Sequence, residues 1–240
     1  MKILAIESSS LVASAAIVND DILVAEYTVN HKVTHSQTLL PMIDEILTMT
    51  QTDKRSIDAI AVSGGPGSYT GLRIGSATEK GLGMALDIPL IHVPTLDAMA
   101  YNAYGYAGLV CPIMDARRSQ VYTGIYEFSD GKFNILLENS AITFDELMKK
   151  LDALNTFGKK VMFIGDGIPV FKDRIDEHFK GTGYELAPAS MNRQRAASVA
   201  VLGGIYYNEG KTEAASEHLP DYLRLSQAER ELNEKRAANG

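Results

Sequence analysis

The 240-residue chain has a single cysteine, Cys111, so it can close no internal disulfide and cannot by itself build a thiolate metal cage. A reducing compartment fits that usage. No apolar run approaches the roughly 18 residues of a membrane span. Glu7-Ser8-Ser9-Ser10 cuts off Ile3-Leu4-Ala5-Ile6 before a signal-peptide core of about 7–15 residues could form. The chain therefore reads as cytoplasmic and unprocessed, with no membrane role. Basic residues are in deficit: 23 Lys and Arg stand against 30 Asp and Glu, a formal charge of −7, and the pI is near 5.3. Phosphate neutralisation by Lys and Arg supplies most nucleic-acid affinity, so this balance argues against an autonomous nucleic-acid binder. Any contact with RNA would lean on a more basic partner.

The familiar reaction signatures are missing too. In Gly64-Gly65-Pro66-Gly67-Ser68-Tyr69-Thr70-Gly71-Leu72-Arg73-Ile74-Gly75, a Walker loop would need Gly-Lys-Ser/Thr where Gly71-Leu72-Arg73 stands. A dinucleotide fingerprint begun at Gly65 would need glycine at Thr70. Ser63 lacks the glycine two residues earlier that a nucleophile elbow requires. His31 and His35 are four apart, but Lys32 stands where a zincin has Glu, and the pair precedes the helix, so a solvated loop is favoured. His92, His178 and His218 are isolated, with no Asp or Glu at ligand spacing. Cys111, in an apolar strand, reads as buried and inert. Arg117-Arg118 is a short basic pair, either solvated or meeting a phosphate or carboxylate.

What is present is an ordinary globular composition, 45% hydrophobic and 22% charged against norms of about 45–50% and 25%. At roughly 100–200 residues per domain, the length allows one large domain or two small ones. Apolar runs over 3–6, 13–18 and 22–29 read as three adjacent strands, the last two a hairpin turned at Asn19-Asp20-Asp21. Leu39, Leu40, Ile43, Ile46 and Leu47 mark an amphipathic helix to about residue 49, with Pro41 in its first turn or kinking it. A strand over 58–62, the glycine-rich segment, a helix to about residue 86 and a strand over 88–93 follow. Thr95 then caps a helix running to about residue 104. The same order begins again: strands over 109–114, 120–128 and 133–137, a helix capped by Thr143 with Glu146 three residues on, a strand over 161–164 ending in Gly165-Asp166-Gly167, a helix over 169–179, an extended stretch near Tyr184 and an Ala-rich helix over 195–207. The order strand, strand, strand, helix, strand, helix thus occurs twice. It implies an α/β fold of two lobes, each a mixed sheet flanked by helices, over 1–104 and 105–225, with a charged tail over 226–240.

Two constellations keep two readings each. The glycine segment can aim N–H groups at an anion. Alternatively Gly71 and Gly75, with Ala77, Gly81 and Ala85, form a small-residue surface that lets another backbone come close. Glu7 and Asp115 close the first strand of each half. They either face one cleft, where paired acids with Gly165 and Gly167 would hold a metal-nucleotide complex, or accept hydrogen bonds from the turns that follow them.

Residues 61–75, with Ile3-Leu4-Ala5-Ile6-Glu7-Ser8-Ser9, His35-Ser36-Gln37 leading to Leu39-Leu40-Pro41, Ile113-Met114-Asp115-Ala116-Arg117-Arg118 and Pro220-Asp221-Tyr222-Leu223-Arg224, occur in the order of the TsaB (YeaZ) family, which this chain resembles over nearly its whole length. That family supplies a subunit of the bacterial tRNA threonylcarbamoyladenosine machinery. The resemblance implies a duplicated actin-like, Hsp70-like (ribonuclease H-like) fold and a distant relation to TsaD, the catalytic subunit, which moves a threonylcarbamoyl group onto N6 of the tRNA adenosine beside the anticodon. TsaD holds a metal through two histidines whose counterparts here are Thr95 and Met99, a pair that cannot replace imidazoles. The resemblance therefore implies a non-catalytic chain that pairs with a TsaD-like subunit, alongside a TsaE-like ATPase, or with itself when alone, and meets tRNA only indirectly. The implied interface holds His35, Leu39, Leu40, Ile43, Leu47, Gly67, Gly71, Arg73 and Gly75. No cofactor is required, though a nucleotide could sit at the shared interface, and Glu7, Asp115, Gly165 and Gly167 are its candidates. The rival functions are an autonomous ATPase or kinase of the actin-like superfamily and, further off, a metalloprotease.

Overall fold

Strand β1 (Lys2–Glu7) shows no polar alternation because both its faces are covered. In the computed structural model, which describes residues 1–223, Leu4 and Ile6 join the core beneath one helix layer, while Ile3 and Ala5 join the core beneath the other. β2 (Val12–Asn19) and β3 (Ile22–Asn30) continue from it as antiparallel neighbours; β4 (Ala59–Gly65) and β5 (Leu90–Pro94) extend the other side in parallel. The order is β3-β2-β1-β4-β5. The second half repeats it: β6 (Leu109–Asp115) has β7 (Gln120–Ser129) and β8 (Lys132–Thr143) antiparallel on one side, β9 (Val161–Ile164) and β10 (Glu185–Leu186) parallel on the other. One such sheet with its crossover helices is the ribonuclease H-like unit. Two in tandem are the duplicated actin-like, Hsp70-like architecture.

Among the described residues three α-helices accompany each sheet in sequence. These are α1 (His35–Met49), α2 (Tyr69–Leu86) and α3 (Thr95–Tyr101), then α4 (Phe144–Leu154), α5 (Ile168–His178) and α6 (Ala196–Asn208). α1 begins four residues before its first leucine, because His35 occupies the buried stripe of Leu39, Met42, Ile43 and Ile46. Pro41 lies inside the helix on its exposed side, where the carbonyl freed by the missing N–H can reach water. Thr143 and Glu146 make the expected capping box of α4. Thr95 does not cap α3. It lies in the first turn, its hydroxyl drawn to Ser63 Oγ at 2.8 Å, and the helix stops at Tyr101. β8 runs six residues past its expected end, carrying polar Glu138, Asn139 and Ser140 along the sheet's edge.

The helices do not all stay with their own half. α3 buries Leu96, Met99 and Ala100, and the turn after it Ala103, against Val110, Met114, Tyr126 and Ile164 of the second sheet. α6 buries Ala196, Val199, Ala200 and Leu202 against Ile3, Ala5, Ala16, Ala61 and Val93 of the first. A lobe cut at 105–225 therefore leaves out what α6 covers. The reason is local chemistry: two of the orphan N–H groups at the start of α6 are taken by first-sheet side chains. Ala196 N donates to Ser14 Oγ at 3.1 Å and Ala197 N to Glu26 Oε1 at 3.1 Å, while Arg195 pairs with Glu26. Alanine is the right size here, since Gly203 passes so close that an added Cβ would stand 2.6 Å from that of Ala61. The tail over 226–240 lies outside the described residues. Among the described residues no helix is long and apolar enough to cross a membrane.

Asp97 of α3 ties this exchange together. Buried at 3% exposure, it accepts from Tyr126 Oη (2.7 Å) and Asn139 Nδ2 (2.9 Å) of the second sheet and from Tyr206 Oη (3.4 Å) of α6. Burial outweighs these donors and raises its carboxyl above the ordinary value of 3.8. Between the two values the native state keeps a proton that the unfolded chain has released, so this group makes stability fall as pH rises. Asp97→Asn keeps an acceptor and cannot ionise. Urea titrations across pH should show the stability of wild type relative to this variant declining as pH climbs from about 4, then levelling above the raised value.

Candidate functional site

The glycine segment turns inward. Ser68 caps α2 by accepting from Gly71 N at 3.3 Å, and its own N–H donates to Ser9 O at 2.6 Å. Ser8 Oγ donates to Gly71 O at 2.9 Å. The first turns of α2 therefore lie directly on the β1–β2 turn. A Cβ added at Gly71 would fall on the Ser8 carbonyl oxygen, and one at Gly75 on Ser8 Oγ. Close packing, not an open anion cradle, is what these two glycines serve.

This changes the expected partner surface. Leu39 and Ile43 are in the core of the first lobe, Leu47 is half-buried against it, and Gly71 and Gly75 face Ser8. Gly67 sits against the Ser9 carbonyl. His35 is buried with Nε2 2.7 Å from Ser10 O, so it belongs to neither a solvated loop nor an open interface. Of the nine residues only Leu40 and Arg73 are exposed, and the Arg73 guanidinium lies over the Tyr69 ring at 4.3 Å. The outward side of the two helices instead shows Leu40, Met49, Ala77, Gly81, Met84 and Ala85, with nothing within 4 Å of a Cβ at Gly81.

A cleft of about 730 Å³ opens between the lobes, lined among others by Ser9, Gly67, Thr70, Asp115, Asp166 and Tyr222. The duplication suggested that Glu7 and Asp115 would face it together, but only Asp115 does. Glu7 is wholly buried and accepts from Ser9 N (2.6 Å) and Ser9 Oγ (2.5 Å), and its burial raises its pKa. Asp115 accepts from Arg117 N (2.8 Å) and Arg117 Nη1 (3.2 Å). Gly165 and Gly167 press on the Ile113 carbonyl, Gly167 N donating to it at 3.0 Å. Between them Asp166, whose pKa is raised by burial against the lowering effect of Arg193, keeps Oδ1 buried with no hydrogen-bond partner. Cys111 is buried and its thiol is pushed up to about 12, so it is not a nucleophile at neutral pH.

Thr95 and Met99 are core residues, at 0% and 1% exposure. The histidines that the sequence leaves isolated are not so in space. His178 Nε2 stands 3.0 Å from Asp152 Oδ1, and His218 lies between Glu79 and Glu213. Burial pushes Glu79 up to about 7. Burial also opposes the charged form of His218, but the bonds and charges of Glu79 and Glu213 prevail and raise it. No spacing rule could find this group, whose members run from residue 79 to residue 218.

A duplicated ribonuclease H-like sheet, helices exchanged between halves and a cleft at the strand ends define the class: a two-lobed protein of actin-like fold. Within it, the chain belongs to the TsaB (YeaZ) family. It is 34% identical to the tRNA threonylcarbamoyladenosine biosynthesis protein TsaB of Bacillus subtilis over 95% of this chain and 96% of that one, and 30% identical to TsaB of Escherichia coli over 97% and 98%. The structure of YeaZ from Pseudomonas aeruginosa superposes with a TM-score of 0.78 at 25% identity, covering 92% of this chain and 99% of that one. Residues 24–232 also match the family model described as TsaD: tRNA N6-adenosine threonylcarbamoyltransferase, which places TsaB-type chains in one wider family with that enzyme.

Close contact with Ser8, its carbonyl at Gly71 and its hydroxyl at Gly75, makes these positions structural. Gly71→Ala should lower stability by about 1–3 kcal/mol in denaturant titrations, and Gly75→Arg should leave no cooperative unfolding transition.

Proposed function

We propose that this chain is a non-catalytic subunit that binds and supports a TsaD-type catalytic subunit during threonylcarbamoyl transfer to N6 of the tRNA adenosine beside the anticodon. The observation that carries the reading is the chemistry at Thr95 and Met99. Where the catalytic relative is expected to place two imidazoles, this chain has a hydroxyl engaged with Ser63 and a thioether packed in the core, neither of which suits a borderline metal. The contribution then comes through contact. The outward face of α1 and α2 suits it: Ala77, Gly81 and Ala85 form a small-residue stripe along α2 on which a partner helix can lie closely, and Leu40, Met49 and Met84, exposed at 53%, 74% and 70%, flank it with apolar surface. A standard interface buries about 1,600 Å² in total. The same face would serve self-pairing when the partner is absent. A TsaE-like ATPase joins through the assembled complex, and tRNA is met through the catalytic subunit, in keeping with the net charge of −7.

Gly81→Arg tests this face without touching the core. The variant should melt within a few degrees of wild type yet bind the TsaD-type subunit at least tenfold more weakly in calorimetry, with modification by the reconstituted complex falling in proportion. Unchanged affinity would move the interface elsewhere.

The cleft favours a second reading on one observation: Asp166 presents an unpartnered buried carboxylate oxygen beside Asp115, which could orient a metal-bound nucleotide at the shared interface. Calorimetry with ATP and magnesium separates the two. On the non-catalytic reading the isolated chain binds weakly and does not turn the nucleotide over; tight binding with hydrolysis would establish an ATPase or kinase.

A further inference from the structure

Glu79 of α2, His92 of β5, and Glu213 and His218 of the segment after α6 converge beside β5, the edge strand of the first sheet. His92, Glu213 and His218 each bring a nitrogen or carboxylate oxygen to within 4.8 Å of the others. His218 Nδ1 is 2.5 Å from Glu213 Oε1, its Nε2 is 2.6 Å from Glu79 Oε1, and the two imidazole rings are 5.7 Å apart. Asp221 Oδ2 stands 3.3 Å from His92 Nε2. The cluster is under-satisfied. His92 Nε2, His218 Nε2 and both Glu79 oxygens are removed from water without a well-directed hydrogen bond, the Glu79–His218 ion pair being close but misaligned. Buried polar atoms left in this state are rare and call for a missing partner.

The scaffold holding them is fixed by backbone. Glu213 exchanges both hydrogen bonds with Leu90 at 3.0 Å, the neighbour of His92 on β5 but one. Lys80 Nζ donates to His218 O at 2.9 Å, and Asp221 N donates to Gly64 O at 2.7 Å. The His92 ring lies directly on Gly64, where an added Cβ would occupy its place. Ligating side chains thus come from a strand and from a segment stapled to that strand, as a preformed site requires.

We propose that His92, Glu213 and His218 bind a divalent ion of zinc's class, with Glu79 holding the far nitrogen of His218. Two imidazoles and one carboxylate are a donor set that zinc, cobalt or nickel accept and that magnesium and calcium, which take oxygen ligands, do not favour. Glu79 supplies the carboxylate behind a ligating histidine that fixes its ring and raises its basicity. Binding replaces the proton shared by His218 Nδ1 and Glu213 and releases it to solvent. Ligands at about 2.0–2.1 Å in a tetrahedron stand roughly 3.3 Å apart, so one partner must draw back. Glu213, its side chain 30% exposed against 1% for His218, is the one with room. Asp221 or water completes the shell. The ion is structural: it pins the segment that carries Tyr222 against Tyr69, 4.7 Å between rings, at the mouth of the inter-lobe cleft. The site depends on no reading of the partner interface.

The test uses the untagged full chain, stripped with chelator, and zinc or cobalt(II) alone as probe. One ion should bind per chain, and at 100 times its dissociation constant zinc should raise the melting temperature by about 5–10 °C. Cobalt should give the visible absorption of a tetrahedral nitrogen and oxygen site, while magnesium and calcium should do neither. His92→Ala and Glu213→Ala, both at partly exposed side chains, should keep the metal-free circular dichroism and melting point but lose at least tenfold in affinity, and Glu79→Gln should lose about 10–100-fold. A wild-type chain that shows no shift and no absorption, or a His92→Ala, Glu213→Ala double variant that binds as wild type does, overturns the proposal.

Discussion

The contact between the Ser8–Ser9 turn and the first turns of α2 is the constraint from which the rest of the first lobe follows. It requires glycine where a carbonyl and a hydroxyl of the turn reach the helix backbone. Beside it Glu7 is buried in the fold, where Ser9 donates twice to one of its oxygens. Because Gly71 and Gly75 are spent on this contact, the part of α2 that stays exposed is the one with Ala77, Gly81 and Ala85. A small-residue stripe on one helix can serve two different approaches on its two sides, and only the neighbours decide which side is which.

The two halves are joined by more than a hinge. α3 covers the second sheet and α6 covers the first, so neither half has a closed core without a helix from the other. Glu26 and Ser14 meeting the start of α6, and Asp97 meeting Tyr126, Asn139 and Tyr206, are the polar contacts that fix this exchange. Their effect is to hold the strand ends of both sheets around one cleft. The cleft's carboxylates are unequal despite the duplication: Asp115 is engaged by Arg117, whereas Asp166 has an oxygen without a partner. A duplicated fold need not duplicate its chemistry, since Glu7 and Asp115 stand at matching strand ends yet one is buried and the other lines the opening.

The segment after α6 links several of these features. It crosses the end of β5, touches Gly64 and Gly65 through Asp221, and places Tyr222 against Tyr69 at the cleft mouth. It is anchored by Ala215 in the apolar core and by the His218 cluster, where an imidazole meets carboxylates. Fixing a strap with ionisable groups makes its hold depend on what occupies them, in a way that a leucine cluster would not.

The sequence alone determined the periodic parts of this protein. Apolar runs of strand length, a helical stripe from Leu39 to Leu47, a capping box at Thr143 and Glu146, and their order repeated twice were enough for two mixed sheets, because such patterns reflect which face of an element is covered and are read residue by residue. The motif string through Gly75 was likewise enough for the family. Tertiary structure alone decided direction and company. It turned Gly71 and Gly75 inward, buried His35 and Glu7, and sent α6 to the other half's sheet. It also gathered His92 of β5 with Glu213 and His218 of the segment after α6. Periodicity shows that a face is buried but not against what, and side chains that meet only after folding leave no spacing in the sequence from which their meeting could be read.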